Sequence, residues 1–147
     1  MTTTYLLRPI GYLHRQDEYQ VVEVEAALQP ALLGLERYSD LWILYWFSDN
    51  DNPQDRSTLQ VHPCRNPRNL LTGVFATRAP VRPNLIGLCA VRLLRVEGLR
   101  LIVEGLDARE GTPVLDIKPY LPVSDAIPAA TAPALWPRPQ GQDSPAN

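Results

Sequence analysis

The chain has 147 residues, of which 45% are hydrophobic and 20% charged, so its length and composition predict one globular domain. No stretch approaches the roughly 18 consecutive apolar residues that a transmembrane helix needs, and the N-terminus lacks the basic and apolar regions of a secretory signal. The formal net charge of −2 provides no overall attraction for nucleic acid, so RNA binding would require a local basic patch. We therefore expect a cytoplasmic protein that does not bind membranes.

Short segments rich in Val, Ile, Leu and aromatic residues, separated by Pro, Gly, Asn or Asp, predict an all-β domain. The clearest pattern is a hairpin in VRLLRVEGLRLIVEG, with its turn at Glu97-Gly98 and one buried face. Leu32, Leu35 and Tyr38 follow a helical spacing, which predicts one short helix within residues 28–38. The predicted strands are residues 5–13, 20–25, 41–47, 73–77, 86–96 and 99–104.

The run LWILYWF, residues 41–47, is apolar on both faces. Such a strand is either central and covered on both sides, or it presents one face to another subunit, and we favour the core. From residue 126 onward the chain is rich in Pro and Ala and contains little to bury. We therefore predict a domain over residues 1–125 and a flexible tail over 126–147.

The stretch GVFATRAPVRPNLIGLC, residues 73–89, places Arg78 and Arg82 around Pro80 and Pro83. Neither a helix nor a central strand continues through these prolines, so the backbone is expected to be irregular and rigid. Rigid loops that carry arginines suit a charged ligand, because little entropy is lost when the ligand binds. A structural turn with solvated arginines explains the pattern equally well.

A second polar stretch, GLDAREGTPVLDIKPYLPVSD, spans residues 105–125. It contains Asp116, Lys118 and Tyr120, of which Asp116 and Lys118 lie two apart and would share one face of a strand. This spacing is as compatible with a salt bridge between Asp116 and Lys118 as with chemistry.

Together with LERYSDLWILYWF, residues 35–47, these two blocks resemble the TsaA/TrmO family in sequence and order. The resemblance implies an all-β barrel that binds S-adenosylmethionine at a subunit interface, as a homodimer. It also implies a methyltransferase acting on N6 of N6-threonylcarbamoyladenosine beside the anticodon of tRNA. No GxGxxG turn is present, so the sequence does not support a Rossmann-type cofactor site.

The family's motifs also suggest roles for individual residues. Asp116 or Tyr120 of the DIKPY element would orient or deprotonate the acceptor nitrogen. The expected substrate contacts are Arg65, Arg68, Arg82, Asn84 and Lys118. The expected cofactor contacts are Arg15, Gln16, Ser48, Asp49, Arg78, Leu88, Cys89, Gly105, Leu106, Asp107 and Ala108.

We expect no metal site, since His62 and Cys64 cannot by themselves complete a zinc site. Cys64 and Cys89 are expected to be free thiols, because a lone bridge would be unusual in the cytosol. Two other functions stay open. The same fold and cofactor could serve a small-molecule nucleophile, or the barrel could bind S-adenosylmethionine without turning it over.

Overall fold

A computed structural model describes residues 2–133 and shows a closed six-stranded antiparallel barrel, which confirms the predicted all-β fold. The barrel closes in the strand order β1-β2-β7-β6-β3-β8, and β4 pairs with β5 in a separate two-stranded sheet. The strands are β1 (Gly11–Arg15), β2 (Gln20–Val24), β3 (Asp40–Trp46), β4 (Gln60–Val61), β5 (Thr72–Gly73), β6 (Ile86–Glu97), β7 (Arg100–Glu104) and β8 (Pro113–Pro119).

The prediction of one short helix at residues 28–38 was wrong. Two 3-10 helices, Ala26–Leu32 and Leu35–Arg37, lie there instead, and Gly34 separates them with a φ of +88°. A left-handed residue ends regular helical hydrogen bonding, so no continuous helix forms. The α-helices of the described chain are short, α1 (Pro53–Ser57) and α2 (Pro122–Asp125), and three further 3-10 helices are Ser48–Asn50, Pro63–Arg65 and Val74–Ala76.

Two predicted strands are also shorter than expected. Residues 5–9 are not part of the barrel, because Pro9 has no N–H and the first bond to β8 runs from Ile10 N to the Val114 carbonyl, at 2.8 Å. In the predicted strand 73–77, β5 ends at Gly73 and the chain turns into the 3-10 helix Val74–Ala76. Residues 77–85 contain no helix or strand, as the prolines predicted.

The hairpin of β6 and β7 is present, but its turn is one residue later than predicted. Glu97 pairs with Arg100, and Gly98, with a φ of +60°, leads the two-residue turn. Glycine suits this position because side chains disfavour a positive φ. The expected buried face is present in Leu101 and Val103, but the opposite face of β7 is not fully exposed. Ile102 is buried along with its neighbours on both sides, and its partner on β2, Val21, is fully buried too.

The barrel interior is filled by apolar side chains that alternate along the strands. Leu41 and Ile43 of β3 point inward and are fully buried, whereas Trp42 and Leu44 point outward and stay partly exposed. The 41–47 run is therefore core on one face and partly open on the other. Other fully buried side chains of the core are Leu13, Val22, Leu101, Val103 and Val114.

No helix within residues 2–133 is long and apolar enough to cross a membrane. Residues 126–133 are exposed and contain no helix or strand. The rest of the predicted flexible tail, 134–147, lies outside the described residues.

Candidate functional site

A cavity of about 410 Å³, called cavity A below, opens at one end of the barrel. Two segments form most of its wall. Residues 45–50 comprise the end of β3 and the residues that follow it. Residues 107–112 belong to the connection between β7 and β8. Arg65 and Pro80 complete the lining. Among the predicted cofactor contacts, Ser48, Asp49, Asp107 and Ala108 meet in this cavity.

Arg15 on β1 holds the 107–112 side of cavity A in place. Its guanidinium donates hydrogen bonds to the carbonyls of Leu106, at 3.1 Å, and Ala108, at 2.7 Å. The Arg15 backbone N–H also donates to the Glu110 carboxylate at 2.6 Å, which lowers the pKa of Glu110 together with its contact to His14. Arg15 thus supports the wall through contacts within the chain. The neighbouring Gln16 is exposed, and its N–H donates to the Tyr19 carbonyl in the β1–β2 turn.

Tyr45 and Phe47 form an aromatic wall of cavity A. Their rings meet edge to face with centroids 5.4 Å apart. Gly87, which faces Tyr45 across the β3–β6 ladder, leaves room for both rings. Burial raises the pKa of the Tyr45 phenol, and the charges of Cys89 and Asp107 raise it further. The phenol is therefore protonated at neutral pH and can donate a hydrogen bond, but it does not act as a base.

The charged groups of cavity A differ in how they are compensated. Asp49 pairs with Arg109 at 2.8 Å across the two wall segments. Asp107 and Arg65, in contrast, form no ion pair within residues 2–133. Cavity A therefore contains one uncompensated carboxylate and one uncompensated guanidinium among its described lining residues.

Arg65 reaches the cavity from a strained turn. Cys64 and Arg65 adopt φ values of 58° and 55°, a left-handed conformation that costs non-glycine residues energy. The turn is held by buried Asn69, whose side-chain amide donates to the Pro63 carbonyl at 2.7 Å, and by His62 Nδ1, 2.8 Å from the Asn69 carbonyl. His62 thus helps to hold this turn. Cys64 in the same turn is a free thiol, as is Cys89.

A second cavity, cavity B, encloses about 870 Å³ on the outer side of the barrel. Trp46 lines both cavities. The Arg56 guanidinium lies over the Trp46 ring, 5.2 Å from its centroid, and pairs with Asp51 at 2.8 Å. Asn84, a predicted substrate contact, lines cavity B. The remaining lining residues are 2–5, Leu7, Pro9, Ile86, Pro113 and Leu115.

Several predicted cofactor contacts lie outside cavity A. Leu88 and Cys89 point to opposite faces of β6, and neither residue lines cavity A. The Cys89 thiol donates to the Gly105 carbonyl at 3.2 Å. The Leu106 side chain is buried in the core, and its N–H and carbonyl bind Gln20 and Arg15. Gly105 has a φ of +94° and turns the chain from β7 towards the cavity wall.

The predicted arginine patch is likewise divided. Arg82 donates to the carbonyls of Thr77 and Ala79, so it braces its own loop. Arg78 and Arg68 are exposed and line neither cavity. Of these basic residues, Arg65 alone lies among the described lining of cavity A.

Of the two candidate catalytic residues, Asp116 lies on the outer side of β8 and Tyr120 directly follows that strand. Asp116 and Lys118 form a salt bridge of 3.0 Å, and Tyr120 packs on Trp42 with ring centroids 5.4 Å apart. Trp42 and Trp46 are four residues apart on β3, which is about 13 Å along a strand. Tyr120 is therefore well separated from cavity A within one chain.

Sequence reasoning missed much of the cavity wall. Tyr45, Trp46 and Phe47 were interpreted as core, although three aromatic residues directly before the polar pair Ser48-Asp49 indicate a change of environment. Arg109, which closes the wall through Asp49, has no local signal at all, because its partner lies on another segment.

Comparison with known proteins identifies relatives. A probable S-adenosyl-L-methionine-binding protein of Pyrococcus horikoshii is 40% identical over 110 residues, covering 75% of this chain and 78% of that protein. A human tRNA (adenine(37)-N6)-methyltransferase is 43% identical over 96 residues, which are 65% of this chain and 21% of the human protein.

Solved structures of TrmO share the fold. One superposes with a TM-score of 0.74 at 35% identity, covering 93% of this chain and 66% of its own. TrmO from Pseudomonas aeruginosa gives a TM-score of 0.68 at 34% identity, covering 88% of this chain and 62% of its own. The family described as the tRNA-methyltransferase O N-terminal domain matches residues 8–126. The barrel, the ordered sequence blocks and this match agree, and the chain belongs to the TrmO family.

Proposed function

We propose that the protein is an S-adenosylmethionine-dependent methyltransferase that methylates N6 of N6-threonylcarbamoyladenosine beside the tRNA anticodon, in the cytoplasm. The main support is cavity A, where Ser48, Asp49, Asp107 and Ala108 converge from two distant segments. The names of the relatives agree with this activity, since one is a probable S-adenosyl-L-methionine-binding protein and another a tRNA (adenine(37)-N6)-methyltransferase.

The residues of cavity A suit this cofactor. Its volume of about 410 Å³ falls within the range of small-molecule sites, about 300–1,000 Å³. The uncompensated guanidinium of Arg65 matches a carboxylate, and the uncompensated carboxylate of Asp107 matches a cationic group. The aromatic wall of Tyr45 and Phe47 supplies apolar contact surface. S-adenosylmethionine has a group for each of these contacts: a carboxylate for Arg65, a cationic group for Asp107 and apolar surface for the aromatic wall.

Catalysis here depends mainly on alignment. The bound cofactor supplies a methyl group that is already activated by its sulfonium. The braced loop 107–112 and the strained turn at Arg65 hold the lining groups in fixed positions, so little freedom is lost when the reactants bind. A base has to accept the proton that the acceptor nitrogen loses, and Asp116 and Tyr120 are the proposed candidates.

We also propose that two chains associate through the outer face of the barrel. This outer face consists of Trp42, Leu44 and Trp46 on β3 and of Ile86 and Leu88, their neighbours on β6. These apolar side chains are partly exposed, up to 44% for Leu88, and such a patch is typical of an association surface. Asp116 and Lys118 lie beside it on β8, so a second chain could complete a site that a single chain leaves divided.

A small-molecule acceptor is the second candidate, and the arginine contacts favour it. Arg15, Arg56, Arg82 and Arg109 all bind groups of their own chain. Fewer guanidinium groups are therefore free to bind phosphates, and the formal net charge is −2. A small nucleophile would need no extended basic surface.

Two measurements test the proposed function. Titration calorimetry with S-adenosylmethionine and S-adenosylhomocysteine should detect binding near the micromolar range, about −8 kcal/mol. Methyl transfer is then measured on tRNA that carries threonylcarbamoyladenosine, on the same tRNA without the modification, and on the free modified nucleoside. Transfer to the modified tRNA supports the tRNA enzyme. Transfer to the nucleoside alone supports the small-molecule enzyme, and binding without transfer supports a cofactor-binding module.

The divided site can be tested by mixing subunits. Asp107→Asn and Asp116→Asn are each expected to lower activity. The first variant affects the cofactor side of the proposed active site, and the second affects the acceptor side. If one chain supplies each side, mixed dimers of the two variants contain one intact site and regain activity. Mixtures as inactive as the separate variants would exclude the shared site, and a monomer in sedimentation equilibrium would exclude the dimer.

A further inference from the structure

The aromatic wall of cavity A ends at a carboxylate. Tyr45, Phe47 and Asp107 all line cavity A, and these three residues are called the aromatic–acid corner below. The Tyr45 phenol has a pKa raised by burial and then by the charges of Cys89 and Asp107, so Asp107 lies close enough to interact with it electrostatically. Tyr45 and Phe47 lie in the 35–47 block, but the sequence analysis gave neither residue a role in binding.

The other acidic groups of the cavity are already compensated. Asp49 is paired with Arg109 at 2.8 Å, and Glu110 accepts from the Arg15 N–H at 2.6 Å and contacts His14 at 3.0 Å. Asp107 has no such partner within residues 2–133. Asp107 is thus the carboxylate that remains available to a cationic ligand among the described residues that line cavity A with the aromatic wall.

We propose that the aromatic–acid corner binds the sulfonium of the cofactor and makes the site prefer S-adenosylmethionine to S-adenosylhomocysteine. The inference rests on the proposed function and specifies which groups set cofactor specificity. A carboxylate attracts a cation by charge, and aromatic faces attract it through the ring quadrupole. The two ligands share their adenosine and amino acid ends but differ in this one positive charge.

The same corner would promote release of the product. In the transfer, the bond between sulfur and the methyl carbon breaks as the acceptor nitrogen bonds to that carbon. The electron pair of the broken bond stays on sulfur, which becomes a neutral thioether, and the acceptor nitrogen passes its extra proton to a base. Asp107 and the rings then face an uncharged sulfur, so the attraction that held the substrate form is lost in the product form.

Calorimetry with both ligands tests the corner in the full-length protein. Wild type should bind S-adenosylmethionine about tenfold more tightly than S-adenosylhomocysteine, the size expected of one charge and a cation–π contact. Asp107→Asn should lose most of this preference by weakening S-adenosylmethionine alone. Tyr45→Leu should reduce the preference, whereas Tyr45→Phe, which keeps the ring, should retain it.

Glu36→Gln is the matched control, since it removes one negative charge from an exposed 3-10 helix outside both cavities. It should leave both affinities unchanged, and thermal unfolding of each variant checks that the fold is intact. Equal binding of the two ligands by wild type would overturn the inference, as would equal weakening of both ligands by Asp107→Asn. If wild type binds neither ligand, the proposed function itself fails.

Discussion

Gly87 is the position where one added carbon should most directly disturb the candidate site. A Cβ built on Gly87 lies 2.6 Å from the Tyr45 ring and 2.9 Å from the Phe47 ring, closer than real Cβ atoms come to other groups. In Gly87→Ala the two rings therefore have to move. Overpacking of this kind costs about 1–3 kcal/mol in free energy of unfolding.

Thermal unfolding and calorimetry measure the two consequences. A loss of about 2 kcal/mol corresponds to a fall in Tm of about 6 °C for a domain of this size. The affinity for S-adenosylmethionine should also fall, because the displaced rings form a wall of cavity A. Gly73→Ala is the control. Its φ is −63° and the nearest atom to its new Cβ is the Leu59 carbonyl oxygen at 3.9 Å, so its Tm should not change.

A double-mutant cycle identifies the cause. In a Tyr45→Ala background the nearer of the two rings is gone, so Gly87→Ala should cost clearly less than it does in wild type. An unchanged Tm for Gly87→Ala would show that the wall does not depend on the space at Gly87. The same cost in both backgrounds would show that Tyr45 is not the group that collides.

Three other substitutions test the core, a surface carboxylate and the cavity cation. Leu101→Ala should lower the free energy of urea unfolding by about 2–5 kcal/mol because Leu101 is fully buried, whereas Leu121→Ala, at a position 44% exposed, should change it by less than about 0.5 kcal/mol. Similar losses of unfolding free energy in the two variants would contradict the placement of Leu101 in the barrel core. The folded-state pKa of Glu110 is lowered by the Arg15 N–H and then by His14. The ionised Glu110 carboxylate therefore stabilises the folded protein at pH values above the ordinary carboxyl pKa, and this stabilisation is lost as pH falls through the lowered pKa. Between about pH 6 and about pH 3 the Tm of Glu110→Gln should therefore depend less on pH than the Tm of wild type. Parallel curves of Tm against pH for the two proteins would refute this. Arg65→Ala should weaken S-adenosylmethionine binding about tenfold, whereas Arg68→Ala, outside both cavities, should leave it unchanged. Equal effects would contradict the assignment of Arg65 to the cofactor.

Much of the barrel could be predicted from local sequence. Short segments rich in Val, Ile, Leu and aromatic residues, bounded by turn-forming residues, located β2, β6 and β7 to within a residue or two. Pro80 and Pro83 predicted the irregular segment 77–85, because proline restricts its own backbone and cannot donate a hydrogen bond. Spacing left a salt bridge between Asp116 and Lys118 and a role in chemistry as equal alternatives; the structure contains the bridge, and their roles in catalysis and substrate binding remain predictions.

Contacts between distant segments were beyond local reasoning. Arg15 donates hydrogen bonds to the distant Leu106 and Ala108 carbonyls and so braces the cavity wall, while its predicted contact with the cofactor stays a prediction. The turn held by Asn69 brings Arg65 into cavity A, which local sequence did not indicate, and its predicted contact with RNA stays a prediction. Such roles depend on which groups lie within hydrogen-bonding distance after folding, and spacing along the chain carries no record of that.

The sequence by itself determined the family, the all-β class and the positions of most strands, because these depend on ordered motifs and on the two-residue period of a strand. Closure of the barrel decided the rest. It brought residues 45–50 next to 107–112, turned Tyr45 towards the cavity and Trp42 towards the outside, and left Asp107 without a charged partner among the described residues. A cavity is defined by surfaces that meet in space, so only the tertiary structure could show it.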